Sequence, residues 1–406
     1  MSLKNAVGGV LLIAGTTIGA AVLALPVDTA HLGFNIASLY YLLCWTFLTF
    51  GALYILEANL QLGVGVNLIS MAKATLGMPG QVITWVTYLI LLYALTAAYL
   101  TGTGEWMVEG FQAVGLSIPK ALGSFISALL VAAILIFGTH MVDMLNRGLM
   151  IALFAAFLTL VVVTLPFANV ETITQQQQIF DLGPIPLIIT GFGFAIIVPT
   201  LTDYLHGKPK QLRNVVLIGS LFPLIMYLVW EFLIMGVIPQ EGVGSLLEIK
   251  QNQQPVVDLP RTLAHIVHHP WVTVLSKYFS IFALTTSILG VTLALMDFLA
   301  DGFQIRKSYR NKILLTIITF VPPLTFVFFY PAGFGFALSF AGIYVSIMLG
   351  ILPALMVYKG RTNPNLPRAP FKVAGGRFMI LLTVVFFSGV IVIELLSLFK
   401  VPLVLS

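Results

Sequence analysis

The sequence predicts an all-α polytopic membrane protein of eleven transmembrane helices. They form two inverted five-helix repeats, with helices 1 and 6 broken at the midplane, plus one extra C-terminal helix. Three observations lead there. First, 59% of the 406 residues are apolar, only 9% are Asp, Glu, Lys or Arg, and the mean hydropathy is +1.02. An ordinary globular protein carries roughly 25% charged residues; so few cannot cover a soluble surface, which excludes a soluble enzyme or a nucleic-acid binder. Second, apolar runs of about 20 residues, the length that crosses a bilayer core of about 30 Å, recur eleven times. Third, two of these runs carry glycine clusters in mid-membrane, and an odd number of helices separates one from the other.

The runs lie near 7–26, 34–62, 80–102, 121–138, 148–167, 185–204, 214–238, 272–298, 313–330, 335–358 and 378–399. The second and eighth are long enough to tilt or to project from the bilayer. Placing the N-terminus in the cytoplasm puts 15 of the 20 basic residues on the inside, among them Lys73, Lys210, Arg310 and Arg361. The alternation stays in phase to the last helix, so the count satisfies the positive-inside rule with the C-terminus outside. The net charge of +5 is scattered in short clusters between apolar runs, which is no nucleic-acid footprint. Only Lys4 precedes the first run, whose Gly-Thr interior is unusual for a cleavable leader, so it is expected to remain as a helix. Cys44, the single cysteine, reads as a small buried apolar side chain.

The connections are short, except for 239–271 on the outside. Its His265, His268 and His269 have no nearby carboxylate or cysteine set and read as loop residues rather than a metal centre. Gln175–Gln178 is read as a polar outside loop. There is no phosphate-binding loop, no HExxH metal motif and no cofactor signature, so neither a pump nor a membrane enzyme is expected.

Span 1 holds Gly15-Thr16-Thr17-Ile18-Gly19 at its middle and span 6 holds Gly191-Phe192-Gly193-Phe194. Glycine weakens a helix interior by about 1 kcal/mol, and an opened helix exposes backbone groups that only a protein-lined cavity can satisfy. Gly15 and Gly19 alone also fit a small-xxx-small packing motif. Recurrence decides: five helices separate the two units, so the second enters from the opposite side, as in an inverted repeat. Residues 1–167 and 185–358 are then the repeats, and 378–399 is helix 11. The freed N–H groups of one half-helix suit a carboxylate and the freed carbonyls of the other suit an ammonium or a coupling cation. Together they suit a zwitterion.

Ionisable groups in the membrane are costly and therefore functional candidates. Glu57 and Glu231 lie in helices 2 and 7, which occupy matching places in the repeats. Glu57 is expected to face helices 1 and 6, either tying down the break or carrying a coupling proton; Glu231 is the weaker candidate.

The stretch from Ala14 to Pro26 (AGTTIGAAVLALP) resembles the opening of the bacterial aromatic amino acid permeases, the tyrosine- and tryptophan-specific transporters. Leu56-Glu-Ala-Asn-Leu60, Gly191-Phe-Gly-Phe194 with Pro199, Leu284-Thr-Thr-Ser-Ile-Leu-Gly-Val291 and Asp297-Phe-Leu-Ala-Asp301 agree, with most similarity to the tyrosine-specific members. The resemblance implies the amino acid–polyamine–cation superfamily, a LeuT-like fold, a bacterial inner membrane location and proton-coupled import. By position it also implies roles. Residues 15–19 and 191–194 would cradle the substrate, with Tyr88 and Tyr93 of helix 3 beside it. Thr285 and Thr286 fall where sodium-coupled relatives hold their ion. Helix 5 lacks the lysine that proton-driven relatives often place there, which leaves sodium open. Lys4 would pair with Asp297 or Asp301 to close the inner path.

Overall fold

The computed structural model describes residues 3–63, 66–137, 139–174, 176, 178–205, 209–305 and 309–399, and among them it is helical throughout, without strands. The first predicted span is two half-helices, α1 (Leu3–Thr17) and α2 (Ala21–Asp28). A 3-10 turn, Ala30–Leu32, leads into α3 (Gly33–Leu62). Then α4 (Leu68–Ala113) is interrupted at Gly77, whose φ of 76° lies in the region that favours glycine, with Pro79 just beyond to restart the helix. It is followed by α5 (Lys120–Phe137), α6 (Thr139–Thr164) and the short α7 (Val170–Thr174).

The sixth span is again divided, into α8 (Ile185–Gly191), a 3-10 segment Gly193–Ile197 and α9 (Val198–Tyr204). After α10 (Pro209–Val237), the long connection folds into α11 (Leu246–Asn252) and α12 (Pro255–Val267), where the sequence suggested only a loop. The remainder is α13 (Pro270–Gly302), α14 (Tyr309–Phe329), α15 (Phe334–Val345), a π-helical turn Ser346–Ile351, α16 (Leu352–Thr362) and α17 (Gly376–Leu398).

Among the described residues, ten stretches are long and apolar enough to cross a membrane, the first of them Ala21–Leu62, which takes in α2, the 3-10 turn and α3; Val7–Thr17 is a shorter apolar helix. That first stretch joins α2 to α3, so α1 with α2 makes up the first predicted span as a broken pair. The largest boundary difference is in α4, which starts twelve residues before the predicted span and continues eleven beyond it.

Two contacts fix the helices around the breaks. A Cβ on Gly51 of α3 would fall 2.0 Å from the carbonyl oxygen of Leu349, so only glycine lets α3 lie against the π-helical turn. Near the end of α3, Glu57 is held by Arg361 of α16 through two parallel bonds, Nε to Oε1 at 2.7 Å and a terminal guanidinium nitrogen to Oε2 at 2.6 Å. The Val373 N–H donates to the same carboxylate at 2.7 Å. Glu57 is therefore a clamp between α3, α16 and the linker to α17, not a group facing the breaks. The position predicted for it is corrected accordingly.

Candidate functional site

Between α1 and α2 the chain stops donating down the helix. Ile18 N–H still reaches Ala14 O at 3.0 Å, but Ala20 N–H turns to Ser287 Oγ of α13, also at 3.0 Å. A Cβ on Gly19 would lie 2.6 Å from that same Oγ, so the approach of α13 to the break requires glycine. Behind both breaks stands α10. Its Tyr227 hydroxyl lies 2.9 Å from Thr17 O and 3.0 Å from Gly191 O, and Trp230 Nε1 donates to Val22 O at 2.9 Å. These side chains supply donors that the interrupted helices no longer provide. Tyr227→Phe removes the one donor that these two carbonyls share, an expected penalty of about 1–3 kcal/mol. Uptake should fall while expression and insertion persist; comparing initial rates with melting temperatures checks it.

A cavity of about 410 Å³ lies between the breaks, within the roughly 300–1,000 Å³ usual for small-molecule sites. Its walls include Gly15 to Gly19, Gly191 and Gly193, then Tyr88, Leu91, Leu92, Leu95 and Tyr99 of α4. Asn146 and Met150 of α6 and Thr286, Ser287 and Gly290 of α13 also line it. Nothing lies within 4 Å of a Cβ placed on Gly193, so the second break faces open space. Tyr88, Ile196, Thr200 and Ala294 line both this cavity and a neighbouring vestibule of about 470 Å³, whose wall carries Asp297 and Asp301.

The opposite end is different. A third cavity there, about 370 Å³ and lined by Ala24, Asp28 and Lys250 among others, shares no lining residue with the central one. Between them α2 and α8 touch: a Cβ on Gly191 would sit 3.5 Å from Leu25 Cδ1 and 3.6 Å from Ala21 Cβ. Lys250 of α11 pairs with Asp28 at 3.1 Å, and His31 with Asp181 at 2.8 Å, pinning the end of α2. The His31 hydrogen bond holds the Asp181 carboxyl below the usual carboxylate range. The geometry is a central chamber between two broken helices, sharing walls with the cavity at one end and no lining residue with the cavity at the other.

Residues 2–395 match the model of the tryptophan/tyrosine permease family. The chain belongs to that family. It is therefore a multi-pass membrane permease and not an enzyme. It is 34% identical over 389 residues to the tyrosine-specific transport system 2 of Haemophilus influenzae, covering 94% of each chain. To that organism's tryptophan-specific transport protein it is 31% identical, covering 93% of each. Among solved structures it resembles a manganese transporter of Eremococcus coleocola, with a TM-score of 0.56 at 15% identity, covering 96% of this chain and 85% of the other. That likeness concerns the fold, which is LeuT-like as the sequence implied.

In this permease the chamber gathers some of the sequence-predicted residues and leaves others out. The backbone segment 15–19, Gly191, Gly193, Tyr88 and Thr286 line it. Phe192 and Phe194 are fully buried, and Phe192 packs edge-on to Tyr227 with ring centroids 5.1 Å apart; neither phenylalanine lines the chamber. Tyr93 also departs from expectation, since its hydroxyl donates to Ile318 O of α14 at 2.9 Å. Five residues along a helix is a turn of about 140°, so Tyr88 and Tyr93 face different neighbours. Thr285 bonds back to Ile281 O and lies outside the lining, while Ser287 takes the place beside the break. Asp297 and Asp301 face the open vestibule; the side chain of Lys4 lies outside the described residues.

Sequence reasoning missed Tyr99, Asn146, Ser287 and Tyr227. A signal existed for the first, because Tyr88, Leu92, Leu95 and Tyr99 follow the i, i+4, i+7, i+11 rhythm of one helix face. Glu231 is buried behind α2, accepting from Thr29 Oγ1 and, at 2.8 Å, from the Tyr41 hydroxyl.

Proposed function

We propose that this permease imports an aromatic amino acid, L-tyrosine, by proton symport with alternating access. The observation that carries the reading is the chamber between two broken helices, in a chain whose relatives include tyrosine- and tryptophan-specific transporters. Backbone of residues 15–19 and 191–194 would hold the amino and carboxylate groups, and the apolar face of α4 would take the ring. The chain would consist of the repeats 1–167 and 185–358, with the first and sixth helices rocking against the third, the eighth and their neighbours and 378–399 outside the cycle. With the N-terminus cytoplasmic, the C-terminus outside and the chain in a bacterial inner membrane, the open vestibule faces the cytoplasm. The conformation is then inward-open, and Asp297 and Asp301, with Lys4, would form its inner gate.

A sodium-driven cycle is the second reading, favoured by Thr286 and Ser287 beside the first break. Gradient-driven uptake of labelled tyrosine into proteoliposomes separates the two. Accumulation that collapses with a protonophore and ignores sodium is the expected result. Dependence on sodium would move the coupling site to α13, and a tryptophan preference in competition would change the substrate while keeping the class.

A further inference from the structure

We propose that Glu231 of α10 carries the coupled proton, taken from the outer water and released to the cytoplasm with the substrate once per cycle. This rests on the proton-symport reading above and deepens it by naming the group that binds the ion. The two acids that the sequence places at matching positions then part company. Glu57 is a fixed anion, and Glu231 is the group that exchanges its proton.

The difference lies in their partners. Glu57 meets a guanidinium and a backbone amide, donors that suit only the ionised form. Glu231 is fully buried and meets two hydroxyls instead, Thr29 Oγ1 at the end of α2 and the Tyr41 hydroxyl of α3 at 2.8 Å. Thr29 Oγ1 also lies 2.7 Å from Leu25 O, so its one proton has two acceptors to choose between. When Glu231 is ionised, Thr29 and Tyr41 both donate to it. When Glu231 is protonated, its O–H donates to Thr29 Oγ1, which turns its own proton to Leu25 O. Leu25 O keeps the Thr29 N–H, at 3.0 Å, in either case. Rotation of one hydroxyl therefore satisfies both forms without displacing a heavy atom, which is what reversible protonation of a buried acid needs.

The surroundings tie the proton to the breaks. Asp28, at the end of α2, is the charged group near enough to act on Glu231, and Lys250 balances it at 3.1 Å. Elsewhere around α10 the charges are engaged or remote. Arg261 of α12 is taken by Glu109 and Asp258, and Glu171 of α7 is exposed. Arg147 lies ten residues, about 15 Å, along α6 from Phe157, whose ring meets Trp230. One turn before Glu231, on the same face of α10, Tyr227 holds the carbonyls of both breaks. An ionised Glu231 sets a negative charge beside the last-turn carbonyls of α2, a helix end that favours cations. Protonation removes that charge and lets α2 close on α10, as it does here. Closure of the outer side is thereby linked to proton binding.

The test uses Glu231→Gln, whose amide can donate to Thr29 and accept from Tyr41 as the protonated acid does. Wild type and variant are compared in proteoliposomes for three readouts: counterflow of labelled tyrosine, its accumulation under an imposed pH gradient, and tyrosine-induced proton entry followed with a trapped dye. One pH unit across the bilayer sustains about tenfold accumulation in a one-proton symporter. In the variant that accumulation should fall to simple equilibration and the proton entry should vanish, while counterflow continues. Continued counterflow also shows that the variant is folded. Gradient-driven accumulation by the variant would overturn the assignment. So would equal loss of counterflow and accumulation, the mark of a structural acid. A wild type that accumulates tyrosine on sodium alone, or not at all, would remove the symport reading itself and this assignment with it.

Discussion

Gly191→Leu is expected to abolish uptake while the protein still inserts and folds. The position ends α8 at the second break, and a Cβ there would already touch Leu25 and Ala21 at 3.5–3.6 Å and the Tyr227 ring at 3.8 Å. A methyl group fits those distances; an isobutyl group does not. Leucine must push α2 from α8 or enter the chamber, and overpacking of this kind costs about 1–3 kcal/mol. The displaced backbone includes the Gly191 carbonyl that Tyr227 holds. Gly191→Ala should therefore keep most activity and Gly191→Leu none, measured as initial rates on protein of equal yield and monodispersity. Normal transport by the leucine variant would remove the broken helix from the mechanism.

Arg361→Leu should lower stability by about 3–5 kcal/mol, the range for stripping one partner from a buried ion pair. Glu57 is 1% exposed, and its two oxygens are occupied by Arg361 and the Val373 amide. Removing the guanidinium strands a carboxylate in the membrane with one backbone donor. A large fall in melting temperature in detergent is the expected readout. Glu57→Gln, milder because the amide still hydrogen-bonds, should reduce gradient-driven uptake and counterflow in equal proportion. Selective loss of gradient-driven uptake would instead return Glu57 to the coupling pathway.

How legible the molecule was in its sequence differs by kind of feature. The spans and the two breaks were legible because a bilayer imposes a length on apolar runs and glycine pairs interrupt them locally. Gly191 and Gly193 needed no tertiary information. Glu57 needed it: its partner is 304 residues distant, and no periodicity links them. Its burial was foreseen but its direction was not. The same holds for Phe192, expected in the substrate cradle with the rest of 191–194, whose ring packs on α10 because the backbone and not the side chain turns toward the open space. Tyr93 was misplaced through a phase that the helical repeat already contained. Asn146 carried no local signal, since a single amide near the start of an apolar helix is unremarkable until its surroundings are known.

The Tyr227 hydroxyl has one proton and two carbonyl neighbours, one on each interrupted helix. If the first helix pair moves away, the proton passes wholly to Gly191; if the second moves, it passes to Thr17. Neither displacement leaves the phenol without an acceptor, so relative rotation of the halves meets little resistance at this point. In the proposed alternating-access cycle the hydroxyl would act as a bearing, keeping the two halves in register while letting each turn against the other.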